Sequence, residues 1–347
     1  MKKVAIITIQ GYYNYGNRWQ NYAVQELLEK YDCNVDTIIA KRSGRLFALK
    51  SVIKLLCGKK SGKRFFKMRR FSKTKLKERR LIYKDYQIPT NIVSEYDYFV
   101  TGSDQVWHPR LARTERQYFF LEFAERKQRI CLSPSIGIDH LREEYFEEYK
   151  NALNGFENLC CREKNGVDLI HNITGRKAEW LIDPTLALTN EEWHELYQDY
   201  KVEEPPYILL AFIGKLGNEE EQKIHKISEE YDLKIIDVFS EMVGLGPEEM
   251  LAYIEHATLV ITDSFHFTAF SINFNRPFMV MRRKGNEYGS TMFSRLESLL
   301  MLFGLQERID CDVAENELLV CDFDNSNAIL ERERTKLYQY LEMCFGV

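Results

Sequence analysis

The stretch with the clearest chemical potential is 258–270, Thr-Leu-Val-Ile-Thr-Asp-Ser-Phe-His-Phe-Thr-Ala-Phe. Its first four residues form a short β-branched apolar run that reads as a buried strand. Thr262, Asp263 and Ser264 are helix N-cap types, and 265–274 reads as the helix they start. His266 then falls in the first helical turn. Backbone N–H groups and the positive end of the helix dipole favour an anion there. A histidine beside a bound phosphate or carboxylate can exchange a proton near neutral pH. The plainer reading is a capped helix with a packed imidazole. Cations stand at the ends of other apolar runs: Arg162 after 158–161, Lys215 after 207–213, and Arg282, Arg283 and Lys284 after 277–281. Arg295 lies in the helix expected at 293–303.

A second group is polar. Asn17 and Arg18 close the loop after the first apolar run, and Gly102-Ser103-Asp104-Gln105-Val106-Trp107 follows the run at 96–101. Polar residues at the carboxyl ends of parallel strands face the usual ligand crevice of an open α/β sheet. Asn17, Asp104 and Gln105 suit sugar hydroxyls, with Trp107 as a stacking platform. Here too a structural role competes. Asp104 and Gln105 could tie down a loop, Trp107 fill the core, Arg162 pair with Glu163, and Asp183 anchor the turn before Pro184.

The elements that must position these residues alternate. A strand at 4–9, a loop at 10–17, a helix at 18–31 and a strand at 35–40 open a doubly wound α/β domain. Further strands are expected at 96–101, 118–123 and 129–132. A second α/β set starts at 207–213. The organisation expected is a first Rossmann-like domain over 1–155 with a basic helical insertion at 41–86, a second over 156–325, and a last helix at 326–347 that packs back on the first. Two such domains would face each other across a cleft. The Gly11–Gly16 spacing lacks the Lys-Ser/Thr of a P-loop, because Asn17-Arg18 stands there, and no Gly-x-Gly-x-x-Gly follows the first strand.

Composition excludes several classes. With 45% hydrophobic and 29% charged residues the chain is that of a globular protein, and no apolar run reaches the length of a membrane span. The eight cysteines contain no Cys-x-x-Cys pair, and the remaining histidines (108, 140, 171, 194, 225 and 256) show no metal-ligand spacing. A cytoplasmic location without metal or cofactor is the expectation. Charge is uneven. Residues 41–80 hold 17 of the 48 Lys and Arg and one of the 52 acids, leaving 31 basic and 51 acidic residues elsewhere. Interleaved with Phe65, Phe66, Met68 and Phe71, this arm reads either as a solvated helical hairpin or as a surface for anionic lipid at the inner face of the plasma membrane. No nucleic-acid motif accompanies it.

Five blocks in order resemble the bacterial polysaccharide pyruvyl transferase family: Gly16-Asn17-Arg18-Trp19-Gln20-Asn21-Tyr22-Ala23, Gly102–Trp107, Arg162-Glu163, Asp183-Pro184-Thr185-Leu186 and Thr262-Asp263-Ser264-Phe265-His266. The resemblance implies a fold similar to the GT-B glycosyltransferases. It also implies transfer of a pyruvyl group from phosphoenolpyruvate, as co-substrate, to two sugar hydroxyls as a cyclic ketal. His266 would then shuttle a proton. Arg162, Ser264, Lys215, Arg282, Arg283, Lys284 and Arg295 would bind the donor, and Asn17, Arg18, Asp104, Gln105 and Trp107 the acceptor. There are two departures. Phe267 stands where many members have glycine, and Ser264 where some carry arginine. Arg282, Arg283 or Lys284 would supply the missing cation. The expected setting is surface-polysaccharide synthesis on a lipid-linked precursor. Rival functions are a GT-B-like glycosyltransferase using a nucleotide sugar and a non-catalytic sugar-binding or membrane-scaffold protein.

Overall fold

The computed structural model describes residues 1–11, 14–39, 60–80, 86–239, 244–282, 287–310 and 317–346. The described residues up to 39, Met68–Ala187 and those from Glu333 onward form one compact unit; 60–67 and Leu188–Arg332 form the other.

The first unit is built on a parallel sheet of β1 (Lys2–Ile7), β2 (Cys33–Ile39), β3 (Glu78–Arg80), β4 (Tyr98–Thr101) and β5 (Arg129–Cys131), in the order β3-β2-β1-β4-β5. Val4 is in register with Val35 on one side and Tyr98 on the other. The chain therefore steps outward from β1 in one direction and then returns to β1's other edge with β4. That reversal places the crevice of an open α/β sheet between the carboxyl ends of β1 and β4. The strands are short apolar runs because both faces are covered, and Val4 through Ile7 are fully buried.

The division expected near residue 155 falls inside this unit. A short parallel pair, β6 (Cys160–Cys161) and β7 (Glu179–Trp180), forms a two-stranded sheet of its own within the same unit. The Ser133 N–H donates to Cys160 Sγ (3.2 Å) and the Arg162 N–H to the Pro134 carbonyl (3.1 Å). Hydrogen bonds of this kind keep 156–187 with the first unit. The expected strand at 118–123 is instead the end of a helix, Arg113–Phe119, followed by Leu121 in the left-handed region (φ 57°). Its aromatic residues are buried by packing, with Phe120 stacked on Trp107, and that burial overrides their β-propensity. From Glu333 the last helix, Asp324–Phe345, belongs to this unit; Lys2 Nζ donates to the Phe345 carbonyl and Lys336 Nζ to that of Trp180, both at 2.6 Å.

The second unit carries β8 (Tyr207–Ala211), β9 (Lys234–Asp237), β10 (Leu259–Thr262) and β11 (Phe278–Val280), parallel and in the order β11-β10-β8-β9. Its reversal lies between β8 and β10, where Ala211 is in register with Thr262.

The described part of the basic arm is a helix, Lys60–Thr74, followed by β3, so the arm is not helical throughout. Phe65, Met68 and Phe71 recur every three residues and are buried, with Phe71 packed edge-on to Tyr22. Several of its cations are engaged: Lys67 pairs with Glu249 (2.6 Å), Lys77 with Glu29 (3.0 Å), and Arg79 with Glu95 (2.6 Å). The apolar stripe that a lipid surface would need is inside the protein over these residues. Residues 41–59, including the apolar segment 46–57, lie outside the described residues. Among the described residues no helix is long and apolar enough to cross a membrane.

Candidate functional site

At the second reversal the sequence supplies three cap-competent residues, and none of their side chains is seen capping. Thr262 Oγ1 donates to the Ala211 carbonyl (2.7 Å) and accepts the Ser264 N–H (2.9 Å). Asp263 turns to the β8 loop, where its two oxygens accept the N–H groups of Ile213 (2.6 Å) and Gly214 (2.7 Å). Ser264 occupies the N-cap position of the helix Phe265–Asn273 with extended backbone, and its side chain makes no capping hydrogen bond. His266 follows in the first turn, 8% exposed and edge-on to the Phe265 ring. A helix start of this kind favours an anion, and an imidazole within it can move a proton to or from that anion.

At the first reversal polar side chains close on one another. Asn14 caps the helix Tyr15–Glu29 by accepting the Asn17 N–H (3.3 Å). That leaves the Asn17 amide to donate to the Asp104 carboxylate. Asp104 is held in the left-handed region (φ 87°), unusual for a residue with a side chain, and its Oδ1 also accepts the Gln105 N–H (2.8 Å). The Asp104 loop is further bridged to Pro134. Glu163 Oε1 accepts from Ser135 Oγ (3.0 Å) and from the N–H groups of Ile136 (2.8 Å) and Gly137 (2.9 Å). Gly137 needs to be glycine: its φ is +71°, and a Cβ there would sit 2.5 Å from Gln105 Nε2. Arg162, 1% exposed, donates through Nη1 to Asp183 (2.6 Å) and to Ser103 Oγ (3.2 Å), while Ser103 Oγ donates to the same Asp183 oxygen. Burial pulls the Arg162 pKa down, but the carboxylates of Asp183, Glu163 and Asp104 outweigh it, and the net direction is up. The guanidinium stays charged.

A model of the family described as polysaccharide pyruvyl transferase matches residues 14–285, most of the chain and both reversals. The chain belongs to the polysaccharide pyruvyl transferase family. It is therefore a transferase of polysaccharide biosynthesis, with a sugar or polysaccharide as acceptor. No curated protein matches the transferase in sequence. Solved structures similar to it include an uncharacterised protein of Klebsiella pneumoniae (14% identity, covering 90% of this chain and 93% of that one, TM-score 0.47). UDP-GlcNAc 2-epimerase of Neisseria meningitidis, bound to UDP-GlcNAc, is another (12%, 99% and 100%, TM-score 0.47). A third is UGT89C1 of Arabidopsis thaliana complexed with UDP-L-rhamnose (10%, 97% and 99%, TM-score 0.46).

The structure of the transferase sorts the residues singled out from sequence. His266, Ser264 and Lys215 stand at the β8/β10 reversal, Lys215 exposed in the loop that Asp263 holds. Asn17, Asp104 and Gln105 come together at the β1/β4 reversal. Arg162, expected on the second domain with Ser264, belongs to the first unit, where its N–H donates to the Pro134 carbonyl. It is neither exposed nor paired with Glu163 in the way a surface arginine would be. Trp107 is fully buried between Phe120 (5.2 Å) and Phe156 (5.6 Å) and offers no face to a sugar. Arg18 is equally enclosed, bonded to Ser72 (3.0 Å) and Glu78 (3.3 Å), so its role is to hold the arm helix and β3 to the first helix. Arg282 is half-exposed, paired with Asp310 (2.9 Å) and Glu297 (3.1 Å), and lies over the Phe293 ring. Arg283 and Lys284 lie outside the described residues. Arg295 is half-buried in the helix Glu287–Phe303. Phe267 is core, edge-on to Phe239.

Sequence reasoning missed the partners. Asp183 does anchor its turn, accepting from the Thr185 N–H (3.0 Å) and hydroxyl (2.8 Å), yet its other oxygen neutralises Arg162. The partners that Ser103, Glu163 and Asp263 take were not foreseen either. Their one signal is that each acid or hydroxyl stands within two residues of an apolar run, where an unpaired charge could not be buried.

Proposed function

We propose that this transferase moves the pyruvyl group of phosphoenolpyruvate to two hydroxyls of a sugar as a cyclic ketal. The observation that carries the reading is the position of His266, in the first turn of a helix that begins at the reversal of the second sheet. The donor phosphate would lie at that helix start with Lys215 as a cation. One acceptor hydroxyl adds to the central carbon of the enol while a proton is delivered to the methylene, making it a methyl group. The C–O bond to phosphate then breaks, and the second hydroxyl closes the ring as its proton leaves with the phosphate. His266 is the group that holds and passes the proton. The cationic carbon formed in between is stabilised by fixed dipoles and by the donor's own carboxylate. Asn17, Asp104 and Gln105 supply donors and acceptors suited to sugar hydroxyls. A lipid-linked form of the acceptor, expected from the basic arm, is not carried into this reading. Phe65, Met68 and Phe71 of the arm's described part are already buried and Phe66 is half-buried, so over these residues its support is mainly charge.

A thermal-shift panel tests the proposal. Phosphoenolpyruvate is expected to raise the melting temperature, through binding to the native state, and UDP- and GDP-sugars are not. Stabilisation by nucleotide sugars alone would sink pyruvyl transfer in favour of glycosyl transfer.

A further inference from the structure

Asp263 stands next to the helix start that the proposed donor would occupy, yet its charge is directed away from it. Both carboxylate oxygens are committed, one each, to consecutive N–H groups of the loop that leaves β8, at 2.6 and 2.7 Å, and the residue is 3% exposed. Two consecutive backbone N–H groups make a small anion-binding concavity. Here the protein fills that concavity with its own carboxylate. Just before it, Thr262 Oγ1 bonds the Ala211 carbonyl, so the end of β8 and the start of the helix are fastened at two successive levels. Two consequences follow. The negative charge of Asp263 is compensated where it sits, which lessens its repulsion of an incoming anion. The fastened loop also delivers Lys215, the exposed residue immediately after Gly214.

We propose that Asp263 is a positioning residue for the donor: it acts through the β8 loop to hold Lys215 beside the start of the helix Phe265–Asn273. This rests on the phosphoenolpyruvate reading above. Asp263→Asn keeps the shape but turns an amide N–H₂ toward a backbone N–H, so one of the two bonds is lost and the loop is released.

The test is a double-mutant cycle on phosphoenolpyruvate binding, by calorimetry on the full chain, with wild type, Asp263→Asn, Lys215→Ala and the double variant. Each single variant is expected to weaken binding about tenfold, the scale of one charge-assisted contact. The double variant should bind no worse than the weaker single, because the two residues act as one device. KM for the acceptor should be unchanged in all of them. Multiplying losses, or wild-type affinity in Asp263→Asn, overturns the inference and leaves pyruvyl transfer standing. Should Asp263→Asn fail to fold, Lys215→Ala at its exposed site decides alone: wild-type affinity in that variant overturns the inference. A wild-type chain that binds no phosphoenolpyruvate overturns both.

Discussion

At the end of β4 the chain closes its polar groups on one another; at the end of β10 it sets a histidine in a helix start and turns the neighbouring acid toward the backbone. Both places are reversals of a parallel sheet, and both carry an Asp just past the strand. At the first, Asp104 is held in a left-handed conformation by Asn17 and its own loop, and Arg162, Asp183, Ser103 and Glu163 form a buried network around it. At the second, Asp263 accepts the backbone N–H groups of Ile213 and Gly214, and the titratable side chain beside it is His266. The first reversal spends charge on rigidity. The second keeps a proton-exchanging group where an anion is favoured. One fold rule thus supplies two positions; under the proposed function the first serves hydroxyl recognition and the second the chemistry.

The contrast can be broken experimentally. Its largest expected effect is Asp183→Ala, which strands the Arg162 charge in the interior. Removing one partner of a buried pair costs about 3–5 kcal/mol, readable as a loss of unfolding free energy in denaturant. Unchanged stability would mean that the network is ornamental. Next is His266→Ala. Turnover, followed as phosphate released from phosphoenolpyruvate, should fall by about 100-fold or more with the denaturation midpoint near wild type. Retained turnover would leave the second reversal with no chemical role. The smallest effect belongs to Arg282→Ala. Its ion pairs are half-exposed, so the change in unfolding free energy should stay below about 1 kcal/mol. A loss as large as that of Asp183→Ala would erase the distinction between buried and surface pairs.

Much of this was legible in the chain. The strand at 258–261, the turn and the helix after it could be read because β-branched residues, cap types and an apolar helix follow one another. The parallel alternation followed from similar runs elsewhere. Three things were not legible. Arg162 and Asp183 are 21 residues apart and meet only because β6 and β7 pair in parallel, which two-residue strands do not announce. The stripe Phe65, Met68 and Phe71 reveals an apolar face, but periodicity does not say whether protein or lipid covers it. Thr262, Asp263 and Ser264 all cap helices well in general, and only the neighbouring β8 loop explains why Asp263 is used elsewhere.

The Arg162–Asp183 pair has a consequence for descent. Each charge is tolerated in the interior chiefly because the other is present. A lineage that altered one first would pass through an intermediate carrying a lone buried charge, near the threshold at which the chain no longer stays folded. The two positions are therefore expected to change together. Relatives of this enzyme should keep both or have exchanged both for a pair of neutral side chains.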